Sequence, residues 1–213
     1  MTRLLLIRHG QSEANLTHRF GGQSNFPLTE LGHVQAQCTA QFLTQKYVLD
    51  GIYTSDLRRS VQTAAHTATL IGLPMVENAG LREIFAGAWE GKVFETLGLT
   101  HPEAYRLWRH DFGFARCPEG ESTMELAQRV KQAIDSIARK HDGQTIALFT
   151  HATPIRAVCW LLSGRPQQAM QDTSWVANAS VTEILWEDGI LTPVAISQAD
   201  HLNNLMTNLP NNV

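Results

Sequence analysis

Two kinds of apolar spacing alternate along the chain. Leu4 to Ile7 is an unbroken apolar run that stops at Arg8-His9-Gly10. Gly51-Ile52-Tyr53-Thr54-Ser55 reads as a second strand, and Thr145-Ile146-Ala147-Leu148-Phe149 as another, ending at Thr150-His151. Short continuous runs of this kind suit strands buried on both faces, hence a parallel sheet. Between them the period changes. Thr29 to Lys46 carries Val34, Cys38 and Phe42 at a helical spacing of four, and Leu57 to Leu70 precedes the helix-ending pair Gly72 and Pro74. Ser122 with Glu125 forms a capping-box pair ahead of the stripe Leu126, Val130, Ile134, Ile137 and Ala138, which predicts a helix to about Lys140. Thr153 and Pro154 are expected to cap and open a further helix reaching Leu162. Val181 to Trp186 and Ile190 to Ile196 predict a closing hairpin across Glu187-Asp188-Gly189.

Strands alternating with helices predict one α/β domain over residues 1–213, with a mainly parallel central sheet and helices on both faces. Residues 84–120, approximately, interrupt that rhythm. The segment holds Trp89, Tyr105, Trp108, Phe112 and Phe114 with Arg106, Arg109 and Arg116, so it reads either as a lid insertion or as a surface excursion with its own small cluster.

Composition narrows the class. The chain is 43% hydrophobic and 17% charged, as expected of a compact domain able to bury a core without disulfides. A net charge of -3 argues against a nucleic-acid partner. Of 17 basic residues only Lys46, Lys92, Lys131 and Lys140 are lysines. The remaining arginines offer planar forks for phosphate or carboxylate oxygens, although coding bias explains the count equally well. Cys38, Cys117 and Cys159 lie far apart, which fits a reducing compartment. The first apolar run has four residues, too short for a signal peptide or a membrane span, so a soluble cytoplasmic protein is expected. These residues do not specify an oligomeric state.

Two predicted strands end in histidine, at His9 and His151. Ligands of open α/β sheets bind beyond the carboxyl ends of the strands, so both imidazoles can face one crevice. A neutral imidazole is a nucleophile towards phosphorus, and phosphoryl transfer depends chiefly on positioning and fixed positive charge. Arg8 adjoins His9, while Arg58 and Arg59 follow the second strand near a helix start, where an anion is favoured. Glu83 is a candidate general acid, or else an ion-pair partner of Arg82. No metal-site or nucleotide-loop motif occurs, so no metal and no cofactor are expected.

These segments together resemble the histidine phosphatase superfamily in its phosphoglycerate mutase-like branch. Leu6-Ile7-Arg8-His9-Gly10-Gln11-Ser12-Glu13-Ala14-Asn15 resembles its RHG signature. Arg19-Phe20-Gly21-Gly22, Pro27 to Gly32, Ser55 to Ala64, Leu81-Arg82-Glu83, Gly87-Ala88-Trp89-Glu90-Gly91 and Pro118 to Ser122 resemble its later segments in order, with His151 at its second histidine. The resemblance implies a three-layer phosphoglycerate mutase-like fold. It implies His9 as the nucleophile that becomes phosphohistidine and Glu83 as the proton donor. It further implies His151 as a transition-state contact and Arg8 and Arg59 as phosphoryl clamps. Asn15 and the backbone of Gly21 and Gly22 would add hydrogen bonds. The family's SxxxRxxxTA spacing selects Arg59 over Arg58. Two positions depart from the pattern. Ala152 stands where glycine usually follows the second histidine, and it keeps a backbone N–H for phosphate. Asn25 replaces a frequent Asp, at a position expected to be structural.

Glu83 is followed by Ile84-Phe85-Ala86 rather than the Arg-His-Tyr of true mutases, and the insertion is modest. That resembles the phosphatase branch and implies hydrolysis of a small phosphorylated metabolite. Mutase-type transfer is the alternative, followed by a phospho-ligand binder without turnover. Phe85, Trp89, Arg106, Trp108 and Arg109 are expected to close over the crevice and set specificity. His18, His33, His66, His101, His110, His141 and His201 are expected mostly to face solvent, and Trp160 and Trp186 to pack the core. Trp175 is ambiguous, and Asn178-Ala179-Ser180 is expected near the pocket without a role. The tail from Asp200, including Pro210, is expected to be loosely held.

Overall fold

The computed structural model describes residues 1–207. Six strands form one sheet: β1 (Thr2–Arg8), β2 (Gly51–Thr54), β3 (Met75–Glu77), β4 (Thr145–Thr150), β5 (Val181–Glu187) and β6 (Ile190–Gln198). Their spatial order is β3-β2-β4-β1-β5-β6. The first four in that order pair in parallel, and β5 and β6 are antiparallel additions. β3 is a three-residue edge strand whose short, half-exposed run carries no periodic signal. The hairpin closes through Asp188 and Gly189, both at positive φ, as a two-residue turn of the primed type demands.

Alternation within the central strands builds two cores. Leu4, Leu6, Ile146 and Leu148 face one side, and Leu5, Ile7, Ala147 and Phe149 the other. The second side is covered by helices α2 (Glu30–Lys46) and α3 (Arg58–Ile71), after a single-turn α1 (Glu13–Leu16). The first side is covered by the two-helix insertion, α4 (Phe94–Thr100) and α5 (Pro102–His110), and by α6 (Thr123–Lys140) and α7 (Ala152–Ser163). The result is the expected three-layer α/β arrangement.

Several local expectations change. The α2 face turned to the protein is Gln35, Ala36, Thr39, Ala40 and Leu43, while Val34 is exposed. Gln35 and Thr39 are tolerated inside because each is hydrogen-bonded, Gln35 to Gln11 and Leu205 and Thr39 to Ala179. His151, not Thr153, is the N-cap residue of α7, so the helix begins one residue after the strand's histidine. Trp89, Phe94, Trp108 and Phe112 form no separate cluster but merge with the core on their side of the sheet. The arginines of this insertion turn outward: Arg106 pairs with Glu103, and Arg116 with Glu125. The tail from Asp200 is docked, with a short turn of helix at Asp200–Leu205 and Leu202 fully buried. Pro210 lies outside the described residues. Only His18 and His110 among the seven other histidines are exposed. His33 and His66 bond each other, His141 contacts Tyr53 and Gln144, and His201 stacks on Phe42. No helix among the described residues is long and apolar enough to cross a membrane.

Candidate active site

Strand register brings the two histidines together. β1 and β4 pair with Arg8 opposite Thr150, so His9 and His151 leave adjacent strand ends side by side. Their ring centroids are 5.2 Å apart. The backbone after β1 turns tightly against the start of α2. A Cβ on Gly10 would lie 2.4 Å from the Gly32 carbonyl oxygen, so only glycine fits there.

Hydrogen bonds set the tautomer of His9. Its Nδ1 lies 2.7 Å from the Gly10 carbonyl oxygen and so carries the proton, while Nε2 accepts from Arg59 Nε at 3.2 Å. The lone pair on Nε2 is therefore the nucleophilic position. Burial, followed by the positive charges of Arg59 and Arg8, holds the imidazole pKa well below its ordinary value. His9 is neutral at pH 7 for that reason. Asn178 donates to the His9 carbonyl oxygen at 3.1 Å and to Asn15 Oδ1 at 3.2 Å. Asn15 Oδ1 also accepts from the Ser12 backbone and hydroxyl in the capping box of α1. With Oδ1 occupied, the amide N–H bonds of Asn15 are the part left for a ligand.

Arg8 and Arg59 are 4% and 2% exposed, two guanidinium groups buried beside one imidazole. Burial brings each down to about 10, and both stay charged at neutral pH. Arg58, by contrast, is exposed. Neither guanidinium is in an ion pair within salt-bridge distance among the described residues, and two such buried cations lining a cavity make an anion site. Arg8 Nε is buried with no partner among the described residues.

Glu83 is drawn in from the opposite wall. Arg129 of α6 donates to the carbonyl oxygens of Gly80, Arg82 and Glu83, and Thr150 donates to that of Leu81. Arg82 is taken up by Asp56, so it is not the partner of Glu83. Glu83 is 9% exposed, and its carboxyl accepts from the N–H groups of Ile84 and Thr153. Burial raises its pKa against the opposing effects of those bonds and of Arg59. This favours the protonated form, as a general acid requires.

Arg8, His9, Asn15, Gly21, Gly22, Arg59, Glu83 and Ala152 line one pocket. Phe20, Phe94, Trp108 and Trp175 wall its far side. Phe85, Trp89, Arg106 and Arg109 are not among its lining, so of the residues expected to shape specificity only Trp108 reaches it. His151, beside His9, is fully buried and is not among the residues lining the pocket. Its Nε2 bonds Ser55 Oγ at 2.8 Å, while its Nδ1 has no partner among the described residues. Ala152 occupies the first turn of α7, whose N-terminal dipole adds positive potential. Among the described residues no cluster of three or more His, Cys, Asp or Glu side chains could hold a metal ion.

The sequence alone gives no role to Asn178, Ser55 or Thr63, which hydrogen-bond His9 and Asn15, His151, and Gly10 and Arg59 respectively. Thr63 accepts from Gly10 N and donates to the Arg59 carbonyl oxygen. Asn178 was flagged by its place before β5, but its contact with His9 depends on a sequence separation of 169 residues.

A family model described as the histidine phosphatase superfamily (branch 1) matches residues 4–198. The chain is 33% identical over 164 residues to phosphoserine phosphatase 1 of Hydrogenobacter thermophilus, covering 77% of each. It spans only 42% of the length of the bifunctional protein Rv2228c of Mycobacterium tuberculosis, at 35% identity over 73% of this chain. Among solved structures, Bacillus stearothermophilus YhfR superposes with a TM-score of 0.89 at 28% identity, over 95% of this chain and all of that one.

Proposed function

The chain belongs to the histidine phosphatase superfamily, and from that premise we propose that it is a metal-independent phosphatase hydrolysing a small phosphomonoester through a phosphohistidine at His9. One observation carries the reading: His9, with a free-base Nε2, lines one pocket together with two buried guanidinium groups and a buried carboxyl held towards its protonated form. The named phosphoserine phosphatase among its relatives supports the same reaction class.

In the first step the Nε2 lone pair of His9 forms a bond to phosphorus while the bond from phosphorus to the ester oxygen breaks. Glu83 gives its proton to that oxygen, and the alcohol leaves. In the second step water attacks phosphorus, Glu83 takes the water's proton, and the bond to Nε2 breaks to release inorganic phosphate. Attack requires Arg59 Nε–H to turn from Nε2 to a phosphoryl oxygen, so the same arginine masks the nucleophile at rest and stabilises the transferring group. Arg8, Asn15 and the N–H groups of Gly21, Gly22 and Ala152 are assigned to the remaining oxygens. His151 is assigned to the transition state through its Nδ1, which is buried and without a partner among the described residues, so the assignment requires that atom to become accessible when the phosphoryl group enters. The leaving alcohol lies against the aromatic wall. We place the whole chain in a single domain acting on small phosphorylated metabolites in the cytoplasm, in keeping with its three free cysteines.

The test is direct. Incubation with a labelled phosphomonoester and rapid quenching should trap an acid-labile adduct on His9, and His9→Ala should abolish both adduct and phosphate release. Turnover that persists in His9→Ala overturns the assignment. Interconversion of 2- and 3-phosphoglycerate without net phosphate release would identify the mutase alternative instead.

A further inference from the structure

Glu90 belongs to the Gly87–Gly91 motif, and the scheme above gives it nothing to do. Yet its carboxylate is saturated with donors. Oε1 accepts from the backbone N–H of Gln23 at 2.8 Å and of Ala86 at 2.9 Å. Oε2 accepts from the backbone N–H of Ser24 at 2.8 Å and from its hydroxyl at 2.6 Å. Three of these four donors belong to the loop at residues 21–24. That loop passes so close that a Cβ on Gly22, which has φ +47°, would lie 2.3 Å from Oε1.

The same loop holds Arg59. Its Nη1 donates to the Ser24 carbonyl oxygen at 2.9 Å and its Nη2 to that of Gly22 at 2.8 Å, while Nε reaches His9. Three of the five N–H bonds of the guanidinium are thereby used, and two remain on the terminal nitrogens. The direction of those two depends on where the carbonyl groups of Gly22 and Ser24 stand. A carboxylate fits this task because it only accepts. A carboxamide at the same place would turn two N–H bonds towards existing donors.

We propose that Glu90 is a positioning residue for phosphoryl binding: its carboxylate fixes the 21–24 loop, and the loop carbonyls aim the Arg59 fork. The inference rests on the reading of the pocket as a phosphoryl site and goes beyond it by naming what orients the clamp.

A double-mutant cycle on the full chain tests it, with the dissociation constant of orthovanadate as readout and thermal melting as a check on folding. Glu90→Gln should weaken vanadate binding by about tenfold or more, because bonds to a charged acceptor are lost. Arg59→Lys keeps the charge but not the planar fork. In that background the same Glu90→Gln change should cost less than about twofold, since its effect runs through the fork. Equal losses in both backgrounds would reduce Glu90 to a general structural part and overturn the proposal. Unchanged affinity in Glu90→Gln would do the same. If Glu90→Gln does not fold, Ser24→Ala removes one donor alone. It should weaken vanadate a few-fold in the wild-type background and not with Arg59→Lys; no change in either sinks the idea. Failure of the wild-type protein to bind vanadate would instead remove the phosphoryl-site reading itself.

Discussion

Glu83 and His9 must hold opposite protonation states at one pH, and burial produces both. Desolvation penalises the charged form of each group, so it lifts the carboxyl and depresses the imidazole, the latter aided by Arg59 and Arg8. The proposed mechanism needs His9 neutral and Glu83 protonated. The pH profile of kcat/KM should therefore fall on the acid side through the lowered pKa of His9 and on the alkaline side through the raised pKa of Glu83. Glu83→Gln should lower kcat by about 10²–10⁴-fold and erase the alkaline limb. An alkaline limb that persists in this variant would show that another group is the acid. Stability carries the same sign. Folding favours protonated Glu83, so its contribution is present below the unfolded carboxyl pKa and is lost as pH rises through the folded value. Melting curves of Glu83→Gln should lack that decline. At this scale the residues His9, Arg59 and Glu83 were legible because short motifs carry them in order, while Asn178 and Glu90 were not, because their partners are distant in sequence.

Among the helices, α3 carries the buried Arg59 in its first turn, yet its own N-cap residue, Leu57, supplies no side-chain cap. Asn25, from the loop before α2, accepts the Arg58 N–H at 2.7 Å and does that work from outside. Asn25→Ala should cost about 1 kcal/mol of stability by urea titration, as loss of a helix cap does, and should lower activity only through loosening of Arg59. No loss of stability would show that Asn25 does not cap the helix. The capping box of α6 was readable from Ser122 and Glu125 alone, since both halves lie within one turn. The buried face of α2 was not. Its apolar positions point partly outward, and the inner face is chosen by hydrogen bonds to Gln11, Ala179 and Leu205 that the helical period does not encode.

For the molecule as a whole, residues 200–207 pack on the side of the domain that holds Asn178 and, through it, His9. Leu202 is buried beside Ala179 and Ala199, Gln35 binds the Leu205 carbonyl oxygen, and Thr207 donates to Asn178, which holds His9 and Asn15. Leu202→Ala should destabilise by about 2–5 kcal/mol in denaturant titration, as cavity formation at a fully buried leucine does. A change below about 0.5 kcal/mol, typical of a surface site, would mean that the segment is not docked in solution.

The order of residues along the chain determined the parallel strands, their capping signals and the run of short motifs, because each of these is local and is set by side-chain type and spacing. Tertiary structure alone decided that the insertion is a core-bound wall, that Arg106 and Arg116 are exposed in ion pairs, that His151 stands beside His9 but fully buried, and that residues 200–207 are anchored. Those outcomes depend on which surfaces meet after folding, and burial and hydrogen-bond satisfaction act between residues that the linear pattern keeps far apart.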